Sequence, residues 1–229
     1  MFFYKGFLYI AIGIVLLISL GGRHIRVLLP ISIVALALTL TRGLVLSTVI
    51  AVLLMLWVTG RRRAMLIAFL CALASIVLVW YFLPSFSKID LLAQRAISNS
   101  VRVGDISYMI QNVDPAIILT GSGFGTLING RLNIENSYLM IFWKIGPLAL
   151  AFWLSPVVLS WYYYRQISLN SAHYRIANGL FFGVILVYVQ TATIPYLNTP
   201  IGLSFVLISL FSLRTIAVSS RSDIERMPF

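Results

Sequence analysis

The chain alternates long apolar runs with short polar breaks, and only one of those breaks is itself long. Residues 7–20 form the first apolar run, closed by Gly21, Gly22, Arg23 and Arg26. Residues 28–57 follow, with Thr41, Arg42 and Gly43 at their middle. A helix needs about 20 residues to cross a hydrocarbon core of about 30 Å, so this run is too long for one crossing and barely enough for two. One tilted helix would hold Arg42 near the bilayer centre at a cost of about 2.5–3.5 kcal/mol. The pattern therefore predicts two short spans with a tight turn at Arg42. Arg61, Arg62 and Arg63 introduce the run at 64–83, which ends at Pro84. Residues 137–164 read as one long span containing Lys144, Gly146 and Pro147, with aromatic residues at 161–164 where a helix meets the interface. Runs at 176–193 and 201–213 complete a set of about seven. The expected fold is an all-α integral membrane protein: spans one to four in 1–83, a long polar stretch in 84–135 carrying short amphipathic helices, and spans five to seven with a polar tail in 136–229.

Composition agrees. The chain is 60% hydrophobic and 10% charged with mean hydropathy +0.98, whereas soluble domains are about 25% charged. A net charge of +11 would suit a nucleic-acid partner, but the basic residues lie in small clusters between apolar runs, as anchoring loops do. Cys71 is the single cysteine and sits in an apolar run, which leaves no disulfide framework and no Cys-type metal set. Sorted by side, the connections at 21–26, 60–63 and 165–175 and the tail hold ten Lys and Arg, against six in the other set. The positive-inside rule puts the first set and the C-terminus in the cytoplasm and the long polar stretch outside. The N-terminus then also starts outside, with no small-residue cleavage site to mark a signal peptide. That arrangement suggests further spans ahead of Met1, the chain being a piece of a longer protein.

The polar stretch holds four of the six acids, Asp90, Asp105, Asp114 and Glu135, with Lys88, Arg95, Arg102 and Arg131. Ionisable groups at a membrane are functional candidates. Ile89, Leu92, Ala96 and Ile97 fall at helical spacing, as do Ile106, Met109, Ile110 and Val113. Asp105 is the expected N-cap of the second segment and Pro115 its end. Arg95 and Arg102, seven residues apart, can project the same way, and Arg42 arrives on the same face. Three guanidinium groups could then surround one anion. Pairing with the nearby acids, or contact with lipid headgroups, is the plainer reading. Gly121, Gly123 and Gly125 only loosely resemble a phosphate-cradling turn, and a flexible re-entry turn is the simpler account. Glu135 is a candidate general base, or else a favourable charge ahead of a helix that Asn136 or Ser137 caps. His24 and His173 fall on the inner side, and no zinc constellation exists.

The order Thr41-Arg42-Gly43, then Arg95 and Arg102, Pro115, Gly121-Ser122-Gly123-Phe124-Gly125, Glu135-Asn136-Ser137-Tyr138-Leu139 and Lys144-Ile145-Gly146 resembles the bacterial O-antigen polymerase and O-antigen ligase family (Wzy type). The resemblance covers residues 41–146, and the topology extends it to the C-terminus. It implies a multi-pass inner-membrane glycosyltransferase of about a dozen spans, acting at the periplasmic face on undecaprenyl-diphosphate-linked oligosaccharide without metal or cofactor. Arg42, Arg95 and Arg102, with Gly121 and Gly123, would hold the lipid diphosphate. Arg95, Arg102 and Glu135 would be catalytic. Membrane lipid and a chain-length regulator are the other implied partners, and nucleic acid is not one. Ligases carry His before the Asn where this chain has Glu135, which favours polymerase over ligase. From another class, a transporter subunit would place ionisable groups inside several spans; apart from Lys144 they are nearly free of them. A non-catalytic scaffold whose loop docks a partner is the third reading.

Overall fold

The computed structural model describes residues 6–23, 25–39, 41–63, 65–66, 99–169 and 171–225. All but residues 65–66 of the expected fourth span lies outside the described residues, as do Cys71, Lys88, Asp90 and Arg95. Among the described residues the chain is all-helical, with one isolated backbone bridge and no strand. The elements are α1 (Leu8–Leu20), α2 (Ile25–Leu38), α3 (Arg42–Val58), α4 (residues 99–111), α5 (Pro115–Thr120), α6 (Ser137–Ile145), α7 (Pro147–Tyr164), α8 (Tyr174–Thr191) and α9 (Pro200–Glu225).

The break expected near Arg42 is present. The Thr39 hydroxyl donates to the Leu36 carbonyl at 2.7 Å and closes α2. The Thr41 carbonyl accepts from the amides of Leu44 and Val45, both at 3.1 Å, and opens α3. Arg42 thus stands exposed in the first turn of α3.

The span expected over 137–164 is two helices. Gly146 turns the chain at φ +91°, and Pro147 starts α7. Proline has no amide to continue the ladder and excludes helical geometry from the residue before it. Glycine accepts the left-handed turn that results.

Helix α8 is the centre, packed against α1, α3, α7 and α9. Its Gly179 and Gly183 are four residues apart and admit close neighbours on two sides. A Cβ on Gly179 would lie 2.9 Å from Leu16 Cδ2 of α1, and one on Gly183 would lie 2.7 Å from Phe205 Cζ of α9. Polar side chains also tie the helices together. The Ser19 hydroxyl donates to the Arg175 carbonyl at 2.6 Å, the Asn178 amide donates to Ser19 Oγ at 3.0 Å, and the Tyr164 hydroxyl donates to Asn178 Oδ1 at 2.9 Å.

These contacts give each helix a direction. The C-terminal ends of α1 and α7 meet the N-terminal end of α8, and the exposed Arg23, Arg61, Arg62, Arg165 and Arg175 belong to that end of the bundle. At the opposite end, Gly43 at the start of α3 abuts Gln190 and Thr193. There too the Tyr138 hydroxyl of α6 donates to the Tyr188 carbonyl at 2.6 Å. Helices α1, α3 and α7 therefore run against α8.

The outward faces are apolar. Leu38 of α2, Leu148 and Phe152 of α7, and Ile208 and Phe211 of α9 are all more than half exposed, a surface suited to hydrocarbon and costly in water. Among the described residues one helix, Pro200–Ser220, is long and apolar enough to cross a membrane by length and composition, and Leu8–Leu20, Ile25–Leu38 and Arg42–Val58 are shorter apolar helices.

Candidate functional site

At the end of the bundle away from the basic cluster, α4, α5 and the segment 121–135 fold over α6 on a small core of their own. Met109, Ile128, Ile134 and Trp143 are its buried members, with Tyr108, Ile117, Leu139 and Met140 against them. The helix of this region differs from its expected form in three ways. Asp105 is not an N-cap: α4 runs through it, and its side chain is buried inside the site. Pro115 does not end α4 but starts α5, the first turn being where proline's missing amide costs nothing. Of the four apolar residues expected to share a face, Met109 alone points into the core, while Ile106, Ile110 and Val113 are exposed. A buried carboxylate with an arginine partner outweighs the apolar stripe in setting which way α4 faces.

That arginine is Arg131, placed by a two-residue turn. Asn129 and Gly130 have φ of 49° and 77°, and Ile128 and Arg131 exchange backbone hydrogen bonds of 2.8 and 2.9 Å across them. Asn-Gly favours such a turn because both residues tolerate positive φ. The turn returns Arg131 toward α4, where its guanidinium donates to Asp105 Oδ2.

One helical turn earlier on α4, Arg102 Nε donates to Glu135 Oε2 at 2.5 Å. So α4 presents a plus and a minus, and the segment opposite presents a minus and a plus. The two pairs differ at the carboxylate: Asp105 is 5% exposed and Glu135 44%, while Arg131 and Arg102 are 37% and 45% exposed. An exposed ion pair contributes about 0.2–1 kcal/mol. Breaking a buried pair by removing one partner costs about 3–5 kcal/mol, because the other charge is stranded.

Lys144, the lone cation inside an expected span, is buried and binds this segment to α6. Its Nζ donates to the Phe124 carbonyl at 3.1 Å and to the Leu132 carbonyl at 2.5 Å. The Trp143 and Lys144 carbonyls, left open where α6 ends, accept from the amides of Ser122 at 2.8 Å and Gly123 at 2.9 Å. The glycine run thus meets the end of a helix. Gly121 has φ +75°, and a Cβ there would sit 2.5 Å from the Lys144 carbonyl oxygen, so only glycine allows the approach. The Gly121 amide donates to the Ile117 carbonyl at 2.9 Å, and both glycine amides proposed for phosphate are therefore engaged with backbone.

At the start of α6, Asn136 Oδ1 accepts from the Leu139 amide at 3.1 Å, so of the two expected caps Asn136 acts. Asn136→Ala is expected to cost about 1 kcal/mol, read as a lower thermal unfolding midpoint in detergent. Because the cap follows Glu135 directly, it also sets where that carboxylate leaves the helix.

The structure therefore brings Arg102 and Glu135 into contact. It places Arg42 at the same end of the bundle through Gly43 and α8, packs Gly121 and Gly123 against α6, and leaves Arg95 outside the described residues. Sequence reasoning gave no site role to Arg131, Asp105 or Lys144. The Asn129-Gly130 dipeptide was the available signal for the first of these.

No protein-family model matches the chain, and no solved structure matches it. It is similar to a protein of Shigella flexneri named O-antigen polymerase, 29% identical over 224 residues that make up 96% of this chain and 54% of that protein. The chain spans about half the length of this relative. Similarity along nearly all of the chain supports an O-antigen polymerase family relationship.

Proposed function

We propose that the chain is an O-antigen polymerase, or the part of one that carries the reacting groups, joining undecaprenyl-diphosphate-linked oligosaccharide repeats. Its similarity to the Shigella flexneri protein of that name supports this reading. The observation that carries it to particular residues is the 2.5 Å contact between Arg102 and Glu135, an anion-binding group and a candidate base on one exposed surface. The antiparallel course of α1, α3 and α7 against α8 and the gathering of basic residues at one end favour an inner-membrane bundle of about seven spans whose polar segment is periplasmic.

In the transfer, a hydroxyl of one lipid-linked repeat attacks the anomeric carbon of the sugar on a second lipid diphosphate. The new C–O bond forms as the bond to the diphosphate oxygen breaks. That oxygen keeps the electron pair, and the hydroxyl proton passes to the Glu135 carboxylate. Arg102, joined by Arg42 and Arg95, stabilises the negative charge that grows on the departing diphosphate, a fixed donor needing no reorganisation. Gly121 and Gly123 act in this scheme by packing the segment onto α6. Glu135 standing where ligases carry His favours the polymerase over the ligase.

Transfer of radiolabelled repeat from one lipid carrier to another by the purified protein is the direct test, and labelled lipid recovered unextended would refute the reading. Arg102→Lys is expected to lower the transfer rate about 10-fold or more, since an ammonium lacks the planar fork that engages two phosphate oxygens. An unchanged rate in this variant would reduce Arg102 to a general positive charge.

A further inference from the structure

We propose that Glu135 is an internal stand-in for the substrate anion: it pairs with Arg102, and an arriving diphosphate displaces it, freeing the carboxylate as it binds. This rests on the preceding reading only for the identity of the anion. Glu135 Oε2 lies 2.5 Å from Arg102 Nε, and both side chains are nearly half exposed, so water and a ligand can reach the pair. A diphosphate carries more charge than a carboxylate and offers several oxygens to the same guanidinium.

The exchange stays local because the neighbouring contacts each have a buried or half-buried member and are less open to solvent. Asp105 and Arg131 tie α4 to the turn at 128–131, Lys144 holds the carbonyls of Phe124 and Leu132, and Asn136 caps α6 just after Glu135. Only the outer pair can part without unseating the segment. Once displaced, the carboxylate no longer faces a guanidinium and stands beside the bound donor, where a base for the acceptor hydroxyl belongs. Donor binding and exposure of the base become a single event, so pairing with Arg102 masks the base until the donor arrives.

The test compares binding of geranylgeranyl diphosphate, inorganic pyrophosphate and uncharged geranylgeraniol to the detergent-solubilised protein and to Glu135→Gln, which keeps shape and removes charge. Removing the competitor should tighten both diphosphates by about 2- to 5-fold and leave geranylgeraniol unchanged. Tightening of the lipid diphosphate alone also supports the exchange and assigns the site to the lipid-linked form. In an Arg102→Ala background the same Glu135→Gln change should have no effect on either diphosphate, since the two residues act through one another. Equal or weaker diphosphate binding by Glu135→Gln, or equal tightening of geranylgeraniol, would overturn the proposal. Binding is read without turnover, so tightened diphosphate binding in a protein that transfers no sugar would uphold the exchange and refute the polymerase reading.

Discussion

Arg102→Ala is expected to abolish long polysaccharide chains in a strain that depends on this protein for polymerisation, at unchanged protein level in the membrane. The alanine removes the one guanidinium in contact with the candidate base among the described residues. Loss of a donor aimed at developing charge costs about 100- to 1,000-fold in rate elsewhere in enzyme chemistry, enough to turn a ladder of long chains into single repeats on a gel. Stability should barely change, because an exposed pair contributes only about 0.2–1 kcal/mol. Long chains made at normal abundance would remove Arg102 from the mechanism, and a vanished protein band would show that its role is in folding.

Arg131→Ala should behave in the opposite way. It leaves the Asp105 carboxylate buried without its partner, and Asp105 Oδ1 already finds no hydrogen-bond partner among the described residues. The expected loss is about 3–5 kcal/mol, read as a large fall in the thermal unfolding midpoint in detergent. Substituting both members, Arg131→Met with Asp105→Leu, should recover most of that loss, because two apolar side chains of similar size owe nothing to solvation. If the double variant is as unstable as Arg131→Ala, the pair does not act as a unit. The contrast between the two pairs lies in their carboxylates, Asp105 buried and Glu135 nearly half exposed, so one arginine is expected to act in catalysis and the other in holding α4 in place.

Lys144 shows how the tertiary contacts recast a residue. Inside an apolar run an isolated lysine suggests a transport path or a proton relay. Here its ammonium answers two loop carbonyls, which explains a buried cation with no acid beside it among the described residues. The glycine run is similar. By spacing it resembled a phosphate loop, and in the fold Gly121 lets backbone meet backbone at the end of α6.

The helices were legible in sequence where apolar length and local chemistry agree: the turn at Arg42, the cap at Asn136, and the all-helical class all follow from interactions within a few residues along the chain. The break at Gly146-Pro147 also has a local cause, but its apolar flanks concealed it. What sequence alone could not decide was which way α4 faces. Its apolar stripe and its buried Asp105 point in different directions, and the choice is made by Arg131, 26 residues away along the chain. Apolar patterning sorts residues between lipid and core because burial depends on each side chain by itself. Pairing of charges depends on two positions brought together, and that is information only the folded chain contains.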